Sequence, residues 1–400
     1  MHSLLNKIQN YDWGSRTALA ELLGRPSPSP KPEAELWMGA HPSAPSLLEV
    51  AGRRHRLDEW ITRDPERVLG GAVSERFGPR LPFLLKVLAA DRPLSLQAHP
   101  NQAQAEAGFL AEEARGVALA DPKRNYKDRH HKPELLCALV PFHALCGFRR
   151  IPASLRLFDE LAVPGLDAYL ELLRSEPRAA GLRSLVGALL NAECDEQRRL
   201  AEATAAACAG QAPSAEFARE YAWAGRIAAL YPHDVGIVTA LLLNLIRLEP
   251  GQAVYLPAGN LHAYLEGVGV EIMANSDNVL RGGLTPKHVD VTALLEIVDF
   301  ESIDVMPLSP EPAATGELIY ATDAPEFRLS RLDVAPNRGC VLEDRDGPEI
   351  LLVIAGRVQA ESAATCLSLG RGQSAFVPAT APAIRLAGEG SVFRARVNAC

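Results

Sequence analysis

At 400 residues the chain exceeds what one hydrophobic core usually serves, and with 48% hydrophobic and 22% charged residues it has the composition of a folded globular protein, not a disordered one. Lysine and arginine number 41 against 49 aspartates and glutamates, a net charge of -8 that argues against a nucleic-acid partner but leaves room for a small anion held by local cations in a cleft. No stretch approaches the roughly 20 apolar residues of a membrane span, and Met1 to Lys7 lack the apolar centre of a signal peptide, so no membrane partner and a cytoplasmic address are expected.

The stretch Pro26 to Pro32 carries proline at every other position and reads as an extended surface loop, because those residues lack a backbone donor. From Leu81 the texture changes. Pro82 to Leu88 and Pro93 to His99 predict two buried strands separated by a turn around Ala90-Asp91-Arg92, and a short helix is expected from Asn101 to Glu112-Glu113. Between Ile151 and Tyr231 the sequence is rich in leucine and alanine at helical spacing, as in Phe217, Tyr221, Ala224, Ala228 and Tyr231. That stripe reads as core packing, with no residue assigned to chemistry.

Strand texture returns after Val235 together with an internal repeat. Leu248 to Ala258 aligns without gaps on Leu369 to Ala379, each a turn, a strand and a proline stop. Short strands punctuated by glycine and proline point to a β-sandwich of the jelly-roll or cupin kind, used twice. The expected fold is mainly β with a helical insertion: residues 1–150 with 235–305 form one cupin domain, 151–234 an α-helical domain, and 306–400 a second cupin-like domain. The position of His262 in the first copy is Ala383 in the second, so only the first is expected to carry a polar site. Seven scattered cysteines without a CxxC pair suggest neither a disulfide framework nor a thiolate metal site, and are expected to be reduced and mostly buried.

On a strand, Ser95, Gln97 and His99 point one way and Leu94, Leu96 and Ala98 the other, so the polar row faces solvent or a wet interior cavity. Glu134 opens an otherwise apolar strand, where an unpaired carboxylate is costly to bury and calls for a cation. His262 follows a strand ended by Pro257, at the rim of a jelly roll. Gln97, His99, Glu134 and His262 offer two imidazoles, a carboxylate and an amide oxygen without thiolate, a set that fits a metal site with an open position.

Several ordered segments carry a closer resemblance. They are Tyr11-Asp12-Trp13-Gly14, Glu35 to Pro42, Leu94 to Pro100, Tyr126-Lys127-Asp128 with His131 to Glu134, Pro257 to Tyr264 and Glu271 to Lys287. Together they resemble the type I mannose-6-phosphate isomerases of the cupin superfamily. The resemblance implies an aldose-ketose isomerase that moves a proton between C2 and C1 of a sugar phosphate through a cis-enediol, with one zinc ion on Gln97, His99, Glu134 and His262, and a monomer is expected. It further implies Arg281 at an enediolate or phosphate oxygen, Lys132 at the substrate, and Glu271 as an acid/base or a structural carboxylate behind the metal. Ser95, Lys86 and Lys287 are expected at the phosphate, and Trp13 on the pocket wall. Lys86, embedded in an apolar run, needs a compensating anion. Where the family commonly has Asp-Lys after the His-Pro, this chain has Asn101-Gln102. Two rivals share the features: an iron oxygenase using two histidines and one carboxylate, and a non-catalytic sugar-phosphate-binding bicupin.

Overall fold

The computed structural model describes residues 1–50, 52–212, 215–336, 339–342, 345–363 and 365–398. Two large antiparallel sheets and a block of helices make up the molecule. In the first sheet the main path runs Leu243–Leu248, Phe142–Phe148, His262–Ala274, Phe83–Ala90, Glu35–Gly39, Lys7–Gln9. Glu134–Ala138 pairs with His262–Ala274 and with Ala253–Leu256, while Leu96–Ala98 joins His262 to Leu280–Gly283. The long strand His262–Ala274 therefore sits at the centre.

That strand passes through Gly267, whose φ is +137° and where a Cβ would lie 2.5 Å from the Phe142 ring, so only glycine fits there. Its register shifts between Tyr264 and Glu266, so the first part pairs with Phe142–Phe148 and the rest with Phe83–Ala90 and Glu134–Ala138. One strand thus delivers both His262 and Glu271 to the same concave face.

The second sheet repeats this order with different residues. Ser374–Val377, Glu349–Glu361, Ile384–Arg396, Arg328–Val334 and Leu318–Tyr320 follow one another as Ala253–Leu256, Glu134–Ala138, His262–Ala274, Phe83–Ala90 and Glu35–Gly39 do in the first. The sequence repeat has a matching register: Leu256 pairs with Glu134 and Val377, its aligned counterpart, with Glu349. The second sheet also recruits residues from the start of the chain. His2–Leu5 pairs with Ser374–Val377, and Leu47–Val50 and Arg53–Arg56 extend the edge beyond it. Residues 1–150 therefore do not lie in one sheet, because the amino-terminal strand crosses to cover an edge that would otherwise be open.

Five helices from Ile151–Leu161 to Ala218–Leu230 occupy the expected helical stretch. Phe217, Tyr221 and Ala224 are buried as core, continuous with Leu96, Ala98, Leu261 and Ala263 of the first sheet. A second apolar cluster joins the sheets themselves, with Phe83, Leu85, Val87, Val270 and Ile272 against Tyr320, Phe327, Ile350 and Phe393. Burial of each such side chain stabilises by roughly 1.5–3 kcal/mol, so the two sheets are held as one unit.

Local differences from expectation have simple causes. Phe83–Ala90 runs to the residue where the turn was expected, since Ala90 pairs with Gly267. The next strand is only Leu96–Ala98: Pro93 has no donor, and the Leu94 N–H is taken by the Tyr264 carbonyl at 2.8 Å. Helix Gln102–Ala114 starts as predicted, with a capping box in which Asn101 accepts from the Gln104 N–H. Cys137, Cys146 and Cys208 are buried, Cys194 and Cys366 are exposed and Cys340 lies between, so half of these six depart from the expected burial. Cys400 falls outside the described residues. No described helix is long and apolar enough to cross a membrane.

Candidate active site

His99, Glu134 and His262 converge at the floor of the first sheet, each almost wholly buried, with ligand atoms all within 4.8 Å of one another. The Glu134 carboxylate lies between the imidazoles, 3.4 Å from His99 Nε2 through Oε1 and 3.4 Å from His262 Nε2 through Oε2. His99 Nδ1 donates to the Asn278 carbonyl at 2.7 Å and His262 Nδ1 to the Asn260 carbonyl at 2.9 Å. A carbonyl only accepts, so both rings carry the proton on Nδ1 and aim an Nε2 lone pair at the same point. Burial first, then Lys132, pushes the His99 pKa down to about 4, which keeps that ring neutral.

His99 Nε2 and Glu134 Oε2 are buried and make no hydrogen bond. Two inward-facing lone pairs and a carboxylate oxygen without donors fit a divalent cation, which would satisfy all of them. Gln97 pairs across the strands with His262 and with Arg281, and its amide nitrogen stands 3.4 Å from His262 Nε2. A half-turn of the amide presents Oε1 to the same point.

Around this group the charges are arranged in pairs. Lys132 Nζ lies 3.0 Å from Glu134 Oε1, and although burial disfavours the charged carboxylate, Lys132 and the histidines hold Glu134 well below its ordinary range. Lys86 Nζ lies 3.0 Å from Glu271 Oε2 and 3.3 Å from Glu35 Oε1. The anion that the Lys86 sequence argument called for is thus supplied by the protein itself. Tyr264 donates from its hydroxyl to Glu271 Oε1 at 2.9 Å, and burial, followed by the carboxylates Glu134 and Glu35, raises the Glu271 pKa against the pull of Lys86.

A cleft of about 1510 Å³ opens above this floor, lined by Trp13, Lys86, Ser95, Gln97, Lys132, Glu134, Glu271, Arg281 and Lys287. Among the described residues neither Arg281 nor Lys287 has a carboxylate within salt-bridge distance. Burial lowers the pKa of Arg281, and burial and Arg281 together lower that of Lys287. Two cations close enough to repel one another, with no carboxylate at either among the described residues, make this part of the cleft electrostatically suited to an anion. Arg281 owes its place to Leu280–Gly283, where Gly283 has a φ of +123° and Gly236 stands so close that a Cβ would meet its Cα at 2.9 Å.

Residues 1–151 match the family model described as phosphomannose isomerase type I, catalytic domain. Over 396 residues the chain is 39% identical to the mannose-6-phosphate isomerase of Escherichia coli, covering 98% of this chain and 99% of that protein. A crystal structure of phosphomannose isomerase from Salmonella typhimurium superposes with a TM-score of 0.93 at 37% identity, covering 100% of both chains. A zinc-bound mannose 6-phosphate isomerase superposes with a TM-score of 0.91 at 38% identity, covering 100% of this chain and 99% of the other. The chain belongs to the type I phosphomannose isomerase family.

Relatedness along the whole chain sets the iron oxygenase aside, and this phosphomannose isomerase fold brings every expected site residue to one cleft or to its floor. Sequence reasoning left the placement of several neighbours unassigned. Glu35 holds Lys86, and Trp37 donates to Glu35 Oε2 at 2.8 Å; the alternation of Glu35-Leu36-Trp37 places both on one face and was the available signal. His41 and Asp277 meet at 3.1 Å on the cleft wall, linking two segments 236 positions apart by a contact that no local pattern encodes. Leu230 and Tyr231 bring the end of the helical block to the cleft, so that block is not remote from the site. Gln102, standing where the family commonly has lysine, ties the helix start to the Lys132 loop by accepting from the His131 N–H and donating to the Arg129 carbonyl.

Proposed function

We propose that this chain interconverts mannose 6-phosphate and fructose 6-phosphate by moving a proton between C2 and C1 through a cis-enediol. The observation that carries this reading is the polarity of the cleft: inward-facing histidine and carboxylate donors at its floor, and Arg281 and Lys287 on its lining, with no carboxylate partner among the described residues. A sugar phosphate has matching parts: a carbonyl-hydroxyl pair for the floor, a phosphate dianion for Lys287, and an enediolate oxygen for Arg281, whose strand pairs with Gln97.

Gln97, His99, Glu134 and His262 would hold a zinc ion, which when bound polarises the carbonyl and hydroxyl oxygens as a Lewis acid. Glu271 takes the proton from carbon and returns it to the neighbouring carbon, since its raised proton affinity suits a general base. Lys132, beside Glu134, gives a proton to the O1 carbonyl oxygen as the enediol forms and takes one back from the O2 hydroxyl as the ketose carbonyl appears. Arg281 meets the negative charge that develops on the enediolate. Ser95 and Lys287 bind the substrate on the phosphate side and Trp13 walls the pocket against water, while Lys86, its charge already answered by Glu271 and Glu35, serves Glu271 and not the phosphate.

This reading takes both sheets as jelly-roll cupin sandwiches. It divides the chain into a catalytic unit, 1–150 with 235–305, a helical unit, 151–234, and a unit without a metal site, 306–400, to which the first strands lend an edge. It places the enzyme in the cytoplasm as a monomer. The test is a coupled assay for fructose 6-phosphate from mannose 6-phosphate with folded, zinc-loaded protein. Ketose formation at enzymatic rates is expected, and its absence overturns the proposal in favour of a sugar-phosphate-binding protein.

A further inference from the structure

The two sheets place different charges at matching positions. Following the pairings outward from Glu134, the first sheet carries Glu134 in one strand, Glu271 in the next, Lys86 opposite Glu271 and Trp37 opposite Lys86, with Glu35 two residues before Trp37. Outward from Glu349, the second carries Arg394, then Ser330 opposite it, then Ile319, with Glu317 two residues before Ile319. Glu35 corresponds to Glu317, Lys86 to Ser330, Glu271 to Arg394 and Glu134 to Glu349.

In the second sheet one central guanidinium bridges both carboxylates: Arg394 lies 2.6 Å from Glu349 and 3.2 Å from Glu317, and Arg345 reaches Glu349 as well at 3.2 Å. In the first, the cation has moved one strand outward to Lys86 and a carboxylate, Glu271, stands in the centre. Lys86 is bracketed by Glu271 and Glu35, so one ammonium is divided between two anions. Glu35 is itself fixed, because its second oxygen accepts from Trp37 Nε1 and the Trp37 ring lies 5.4 Å from Lys86 Nζ. With Glu35 absent, Lys86 belongs to Glu271 alone and the central carboxylate becomes half of a closed ion pair.

Building on the isomerase reading above, we infer that Glu35 is a positioning residue for the reaction: it anchors Lys86 on the outer strand and so leaves Glu271 with uncompensated negative charge for the proton on carbon. The other charged groups facing Glu271 are Glu134 and Lys132, and the Tyr264 hydroxyl reaches it along its own strand. None of these changes when Glu35 is replaced, so the substitution acts through Lys86 and through the loss of the Glu35 charge itself, both of which lower the proton affinity of Glu271.

The experiment compares zinc-loaded wild type, Glu35→Gln, Glu35→Asp and Trp37→Phe, with mannose 6-phosphate carrying hydrogen or deuterium at C2. Glu35→Gln is expected to lower kcat roughly 10- to 100-fold, the range for residues that orient a reacting group, with KM within about twofold and a larger deuterium effect because proton transfer has slowed. Glu35→Asp, which keeps the charge, is expected to recover part of the loss. Trp37→Phe removes only the indole donor and keeps the test available should Glu35→Gln not fold; it moves kcat and the isotope effect in the same direction by less. A wild-type kcat in Glu35→Gln, or a loss in either variant with an unchanged isotope effect, overturns the inference and leaves Glu35 a structural counter-charge. An inactive wild type instead refutes the isomerase reading itself.

Discussion

The imidazoles of His99 and His262 each spend their Nδ1 proton on a backbone carbonyl, and this decides what their other nitrogens can do. Replacing either by alanine removes one lone pair from a buried group that has no other donor at that point, so His99→Ala is expected to weaken zinc affinity at least 100-fold; competition with a chromophoric chelator measures it. Arg281→Ala is expected to lower kcat far more than it raises KM, because its charge is assigned to the transition state. A change confined to KM reassigns it to phosphate binding. The cysteines give a check of burial independent of the site. Burial pushes the thiol pKa to about 12 in Cys146 and Cys208 and to about 11 in Cys137, leaving little thiolate at pH 8. Peptide mapping after brief alkylation is therefore expected to find Cys194 and Cys366 labelled and those three protected; labelling of the three in folded protein contradicts the packing. At this scale the sequence was most informative where a polar residue interrupts an apolar run, as at Glu134 and Lys86. It was silent on partners, since the anions that answer Lys86 lie 51 and 185 positions away.

Strands fix the site because their register does, and the register depends on a few glycines. The register shift between Tyr264 and Glu266, next to Gly267 with its positive φ, lets His262 and Glu271 share a face although they are an odd number of residues apart, and Gly283 lets Leu280–Gly283 pass Gly236 with Arg281 in place. Gly283→Ala adds a side chain at a positive φ and against backbone, and is expected to destabilise the protein by about 1–3 kcal/mol and to lower kcat more than it raises KM by displacing Arg281; a urea midpoint and initial rates measure the two effects. The helix start at Asn101 was legible because a capping box is local, as was the turn-strand-proline repeat. The length of Leu96–Ala98 was not, because the Leu94 N–H is diverted to Tyr264, a partner only the folded chain supplies.

Across the whole molecule, one strand order appears twice, with a dication expected at the floor of the first sheet and an arginine between carboxylates in the second. Arg394→Met leaves Glu317 and Glu349 buried without their shared cation, a loss expected to destabilise by about 3–5 kcal/mol while zinc affinity stays unchanged. The repeat in the sequence announced this duplication, and Ala383 in place of His262 announced which copy lacks a site. The exchange of His2–Leu5 into the second sheet had no such signal, because edge pairing leaves little mark on a four-residue strand. The central claim is that the buried His99, Glu134 and His262 group takes a metal on which isomerisation depends. It is tested most directly by following zinc content and fructose 6-phosphate formation in one sample as a chelator acts. Activity is predicted to fall in proportion to zinc lost and to return when zinc is restored; full turnover in verified metal-free protein contradicts the account.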